Sequence, residues 1–394
     1  MNPSHSPAAA RGLLFKACGQ AGFLGIGEQL GFLRPDGSGL CYYDFGHPTH
    51  IGWGAYDFAP DGRALLLSIE TDPSWQTESF YVYYPRSRTH LWLCDLETGA
   101  LEELATGPRP APFCTACALL PGGAGLLSTF SIEGREVLHH MELDGANPVA
   151  LTGRDEYVYG VSLSPEGKRV AFHANYQIHT MNLDGTGRAQ VSQLPGQLCF
   201  GTSWAPGGDW VLYQVCNSTQ DPGHDWSSIW IGRPDGSENR PLTGEAEAWF
   251  GAAYGAPGNP RAGSIMPRWA PDGSGILYAR RQPGSRVPWE YQTQRPDTTH
   301  HNRDFKPAQA QGGTQICLLD PERKGSTPLT PGQPATWELR PEWSPDSQRI
   351  LFCRAGVGEV PAVWGMDRDG SNRCLLTDAQ GRGADFPRWV PARR

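Results

Sequence analysis

A short turn sequence recurs along this chain, and it limits sharply what the chain can fold into. Two or three strand residues followed by a Pro-Asp-Gly-like turn occur at 56–62 (YDFAPDG), 117–123 (CALLPGG), 161–167 (VSLSPEG), 202–208 (TSWAPGG), 267–273 (PRWAPDG) and 341–347 (PEWSPDS). An apolar strand follows each copy, as in ALLLSIE, VAFHA and ILFCR. Proline presets φ for the turn and glycine permits positive φ, as a tight hairpin requires. A second motif, strand then Asp-Gly-like turn, occurs at 29–37, 90–99, 137–145, 177–185, 228–236, 315–323 and 362–370. A short strand with a Leu-Thr ending usually follows it, as at 150–153, 241–244, 328–332 and 375–378. Each unit therefore reads as four antiparallel strands, A to D, with tight turns at A–B and C–D.

The second motif occurs seven times, and the first six times plus a shortened copy, PRWVP, at 387–391. These numbers balance when the last A strand joins strands from the start of the chain. The expectation is an all-β, seven-bladed β-propeller of four-stranded antiparallel blades, forming one domain over 1–394. Residues 12–47 and 384–391 make the composite closing blade, and 48–383 make six continuous blades. An open solenoid or a two-sheet sandwich leaves the mid-repeat start unexplained. Trp204, Trp269, Trp343 and Trp389 recur at one A-strand position and read as blade packing.

Composition agrees. The 49 Gly and 35 Pro forbid long helices, and no apolar run is long enough for a membrane-spanning helix. A net charge of −8 without a basic run argues against nucleic acid as partner. Residues 1–23 lack the apolar core of a secretory signal, so a cytoplasmic location is expected. The ten Cys are scattered, several inside apolar runs, and read as buried reduced thiols, with Cys114 and Cys117 a lone C-x-x-C.

The A–B and C–D turns are short and alike, so function is expected at the opposite end, where the B–C and D–A connections vary. The excess length lies in 71–89, 216–227, 245–265 and 282–313, and long aperiodic loops are commonly functional. His173 and Gln214 hold equivalent B-strand positions in neighbouring blades, and His224, His300 and His301 lie in the long loops. Together these five are candidate ligands for a divalent ion such as Mn, Zn or Ca. Trp226, Trp249, Tyr254 and Trp289 offer flat faces for sugar rings, and Arg280, Arg340 and Arg354 offer forked donors for carboxylates. His173, His224, Arg281, Tyr291 and Arg303 are the candidate catalytic groups. Glu70, Asp225, Asp304 and Glu359 are carboxylates on the same end, and His47, His50, Arg86, Arg88 and His90 lie on the opposite side of the ring. No nucleotide-binding fingerprint, nucleophile elbow or H-E-x-x-H occurs, so no nucleotide cofactor is expected.

The SPDG-strand followed by a DLDG-strand resembles the TolB-like propeller repeat family over almost the whole chain. Within that resemblance, the oligogalacturonate lyase-like polysaccharide lyases are the functional analogue. It implies β-elimination on uronic-acid-containing glycans at the propeller funnel, with an acidic oligosaccharide as partner and no membrane. The Gln and closely spaced His pair of that group's last repeats is missing, since the corresponding segments read WELRPEW and GADFPRW. A metal would therefore be assembled from the five residues above. Two other readings are a non-catalytic ligand- or protein-binding propeller and a carboxylate-based glycoside hydrolase.

Overall fold

The structure, a computed structural model, describes residues 10–18, 28–59, 61–76, 86–104, 109–110, 117–132, 135–216, 226–249, 251–254, 261–264, 266–291, 303–322, 325–356, 359–377 and 382–392. Seven four-stranded antiparallel blades form a ring. In the closing blade, Gly383–Val390 is strand A and Gly12–Cys18, Gln29–Leu33 and Cys41–Tyr43 are B, C and D. Blade 1 is Thr49–Phe58, Arg63–Glu70, Thr89–Asp95 and Leu101–Glu103, and blade 3 is Val158–Leu163, Arg169–Ala174, Gln177–Asn182 and Ala189–Gln190. Blade 4 begins at Leu198–Trp204, blade 5 at Arg268–Trp269 and blade 6 at Thr336–Trp343. Successive A strands touch one another in cyclic order, and Gly383–Val390 touches both Thr336–Trp343 and Thr49–Phe58. The last strand pairs with the first, which closes the ring.

Local chemistry explains both turn motifs. In each, the Asp side chain accepts the backbone N–H two residues on: Asp61 from Arg63, Asp184 from Thr186, Asp235 from Ser237, Asp272 from Ser274 and Asp369 from Ser371, at 2.9–3.0 Å. The turn residue that follows sits at positive φ, as Gly62 does at +86°. The one complete copy of the first motif without glycine puts Ser347 there at +59°, and its buried hydroxyl accepts the N–H of Asp272 from the preceding blade.

The Leu-Thr ending is a clamp. The Leu N–H continues the ladder to strand C, and the Thr hydroxyl then accepts the N–H of the same strand-C residue. Thr152 accepts from Leu138, Thr243 from Ile229, Thr330 from Ile316 and Thr377 from Val363, at 2.9–3.0 Å, and Ser192 does the same for Ile178. Each hydroxyl ends a short strand without leaving a buried donor unpaired. The apolar core lies between blades, so the B strands are buried on both faces. Leu13, Leu277, Trp337 and Leu351 join the closing, fifth and sixth blades in one such layer. Trp343 and Trp389 are buried in that layer and Trp204 in the one between blades 3 and 4, with Trp269 half-buried.

Two of the long connections carry structure that periodicity did not announce. The D–A connection 245–265 holds a hairpin, Gly251–Tyr254 with Arg261–Ser264, and the B–C connection 282–313 holds another, Trp289–Tyr291 with Arg303–Phe305. The pair Ala248–Trp249 bonds to strand C of blade 4 and to strand B of blade 5, merging the two blades into one nine-stranded sheet. No helix among the described residues is long and apolar enough to cross a membrane.

Candidate functional site

The seam between blades 4 and 5 brings together four residues marked by the sequence. Trp226 pairs with Trp249 and Ala248 pairs with Arg280, so one two-residue strand ties Trp226, Trp249, Arg280 and Arg281 to the long-loop end. The Arg281 guanidinium lies 4.4 Å from the Trp226 ring centroid, within cation–π range. Its Nε donates to Ser285 O at 2.9 Å, and burial pulls its pKa down. Arg280 donates to Gln315 Oε1 at 2.7 Å. In the adjoining hairpin, Tyr291 and Arg303 are cross-strand partners, as are Trp289 and Phe305. Tyr254 pairs with Arg261 in the other hairpin.

Other sequence candidates fall elsewhere. His173 is wholly buried and stacks on Tyr159, with ring centroids 4.1 Å apart and the Tyr159 hydroxyl 3.4 Å from Nε2. That is a position in blade packing, not in the wall of a groove. Gln214 is equally enclosed, its amide donating to Ser227 Oγ at 2.9 Å. His173 thus meets Tyr159 of blade 3 and Gln214 meets Ser227 of blade 4. His224, His300 and His301 lie outside the described residues, as does Asp225. Arg354 lies 5.3 Å from the Trp364 ring and donates to Gln333. Arg340, expected to meet substrate, is instead spent on Asp385: its NH1 reaches both carboxylate oxygens at 2.7 and 2.8 Å, with both side chains buried.

That ion pair belongs to a polar core that sequence reasoning missed. Asp385 also accepts from Cys353 Sγ at 3.0 Å, and burial drives the Cys353 thiol pKa well up. The Phe386 ring lies 3.7 Å from the Arg340 guanidinium and 5.0 Å from Lys16 Nζ. Lys16 in turn pairs with Glu28 at 3.2 Å, and Glu28 with His50 Nδ1 at 3.0 Å, all three buried. Burial pushes the Glu28 carboxyl up, but His50, Lys16 and the Ile51 N–H outweigh it and hold the pKa below the usual range. Glu338, buried on strand A of blade 6, goes the other way, burial raising its pKa although Thr330 donates to it. One signal was present in the sequence. The A strands bulge at Gly160 and Gly201, both at positive φ, but blade 6 and the closing blade put Arg340 and Phe386 there, each at +51° and each before proline. A bulky residue at positive φ marks a position held by its surroundings.

A separate group stands at the long-loop end of blade 1, where His47, Glu70 and His90 each offer a donor atom within 4.8 Å of the others. On the short-turn end, a depression of about 710 Å³ between blades 5 and 6 is lined by Leu318, Leu329, Arg349, Asp367, Arg368 and Asp369. None of the described residues marked for chemistry by the sequence lines it.

No known protein-family profile matches the chain. Solved structures do resemble it. A TolB from Acinetobacter baumannii is 16% identical with TM-score 0.50, covering 99% of this chain and 69% of its own. A puromycin hydrolase is 15% identical with TM-score 0.60, and the match covers 95% of this chain but only 54% of the hydrolase. A putative 6-phosphogluconolactonase from Bacteroides uniformis is 12% identical with TM-score 0.52, covering 97% and 98%. Identities this low carry the fold alone. With its closing blade, repeated turns and these neighbours, the chain has the fold of a TolB-like seven-bladed β-propeller.

Proposed function

We propose that this propeller is a carbohydrate-active enzyme that binds an acidic oligosaccharide at the seam of blades 4 and 5. In this reading it cleaves uronic-acid-containing chains by β-elimination, in the cytoplasm. The observation that carries the reading is the Trp226–Arg281 pair beside Arg280, an indole and two guanidiniums gathered by one bridging strand. An aromatic face suits a sugar ring, and a guanidinium suits its carboxylate.

In the elimination, a base takes the proton α to the carboxylate, the freed electron pair forms the carbon–carbon double bond, and the glycosidic oxygen leaves from the β-carbon. Neutralising the carboxylate makes that proton more acidic. Arg281 and Arg303 serve as the cations and Tyr291 as the base, the cross-strand register of Tyr291 and Arg303 supporting that pairing.

Calorimetry with oligogalacturonate, oligoglucuronate and a neutral cello-oligosaccharide tests the binding, and ultraviolet absorbance of the unsaturated product tests the chemistry. The acidic oligomers are expected to bind and the neutral one not. Arg281→Ala loses a charge-assisted hydrogen bond of about 1.5–3 kcal/mol, roughly a 10- to 100-fold weakening. Equal binding of the neutral oligomer, or no binding at all, overturns the reading. Binding without unsaturated product leaves a ligand-binding propeller and removes the lyase.

A further inference from the structure

Across the ring from that seam, a second chemistry is built into blade 1. We propose that His47, Glu70 and His90 form a mononuclear site for a divalent first-row transition ion of the zinc type, supported from behind by Glu103. His47 lies in the connection leading into strand A, Glu70 ends strand B, His90 opens strand C and Glu103 ends strand D, so the whole blade converges on the group.

The hydrogen bonds set the tautomer of both rings. His47 Nδ1 lies 2.9 Å from Thr49 Oγ1 and 3.4 Å from Pro48 O, while Thr49 Oγ1 donates to His47 O at 3.2 Å. The tautomer protonated at Nδ1 satisfies these contacts and leaves Nε2 its lone pair. His90 Nδ1 lies 2.6 Å from Glu103 Oε1, which fixes its proton in the same way, and its Nε2 lies 3.1 Å from Glu70 Oε1. A ring nitrogen facing a carboxylate oxygen needs a positive centre between them, either a second proton or a cation.

Two observations favour a cation. A carboxylate on the far nitrogen of a histidine is the arrangement that orients metal-binding imidazoles. The third donor, His47, is already within 4.8 Å, whereas a proton between His90 and Glu70 has no use for it. Two imidazoles and one carboxylate are a known zinc donor set, with a position left open for water or another ligand. Bonds of about 2.0–2.2 Å put tetrahedral donors about 3.4 Å from one another, so the His90–Glu70 pair at 3.1 Å opens slightly while His47, within 4.8 Å, closes in. Glu70 is a third exposed and can swing to do so. Trp92 forms the floor, its ring centroid 5.6 Å from His90 and 6.3 Å from His47, and its indole N–H is held by Ser68 Oγ. Arg88 lies 3.8 Å from Glu70 and competes for the same carboxylate.

The test is calorimetric titration of the full chain with Zn²⁺ after chelator treatment and desalting, with Co²⁺ visible spectra as a report on donor geometry. One Zn²⁺ per chain is expected in the micromolar range or tighter. His47→Ala and Glu70→Gln, both at partly exposed positions, are each expected to weaken it at least about tenfold, and Glu103→Gln by about 10- to 100-fold. His140→Ala, in the strand Arg135–Met141, is expected to leave it unchanged. Zn²⁺ affinity unaltered by His47→Ala and Glu70→Gln overturns the site, as does an absence of Zn²⁺ uptake by the unsubstituted chain. Because no saccharide takes part, a negative result here is separate from any failure at the seam.

Discussion

At the scale of single residues, the histidines divide by what surrounds them. His179 stacks on Phe172 with ring centroids 5.8 Å apart, and burial, then the Arg188 charge, lower its pKa from 6.5 to about 4 against the pull of Glu156. It is neutral in the folded protein near neutral pH. As the pH falls from 6.5 toward 4 the unfolded chain takes up a proton there and the folded chain does not. Its contribution to stability is whole above that window and declines through it. Tm measured across the window is expected to fall, and His179→Gln to flatten the decline; an unchanged slope excludes the assignment. The sequence supplied eleven histidines, and their types and spacing suggested metal binding. It could not show that His173 would be enclosed against Tyr159 while His47 and His90 would meet across 43 positions, because burial and encounter depend on which strands pair.

At the scale of elements, the repeated hydroxyl clamp is what lets each blade end on a strand of two or three residues. Thr243 shows its cost. The side chain is nearly buried, and its hydroxyl takes the Ile229 N–H at 2.9 Å. Thr243→Val keeps the shape and leaves that donor without a partner, which costs about 1–3 kcal/mol. Urea unfolding is expected to move to lower denaturant at unchanged slope, and a shift too small to resolve would mean that water replaces the hydroxyl. This element was legible in outline, since Leu-Thr recurs at the end of the repeat; its purpose required the hydrogen bond. The hairpins inside 245–265 and 282–313 were not legible. Their strands have three or four residues each, too short for alternation to register, and they belong to no repeat.

For the whole molecule, closure concentrates its demands where the last strand meets the first blades. Arg340 and Asp385 join strand A of blade 6 to strand A of the closing blade, buried and bonded at 2.7–2.8 Å. Asp385→Ala removes this buried counter-charge from Arg340, at about 3–5 kcal/mol, and chemical denaturation is expected to show that loss. The double variant Arg340→Met, Asp385→Leu removes both charges and is expected to recover most of it. If the double variant is as unstable as the single one, the pair does more than balance charge. Blade number, turn chemistry and the pairing of the last strand with the first are readable from the residues alone, because these follow from local φ preferences and strand period repeated around the ring. Which charged groups are buried, which long-loop residues share a seam, and the gathering of two histidines and a glutamate on blade 1 come from packing in three dimensions. Those outcomes depend on encounters between residues far apart in the chain, and nothing in a residue's own neighbourhood specifies its partner.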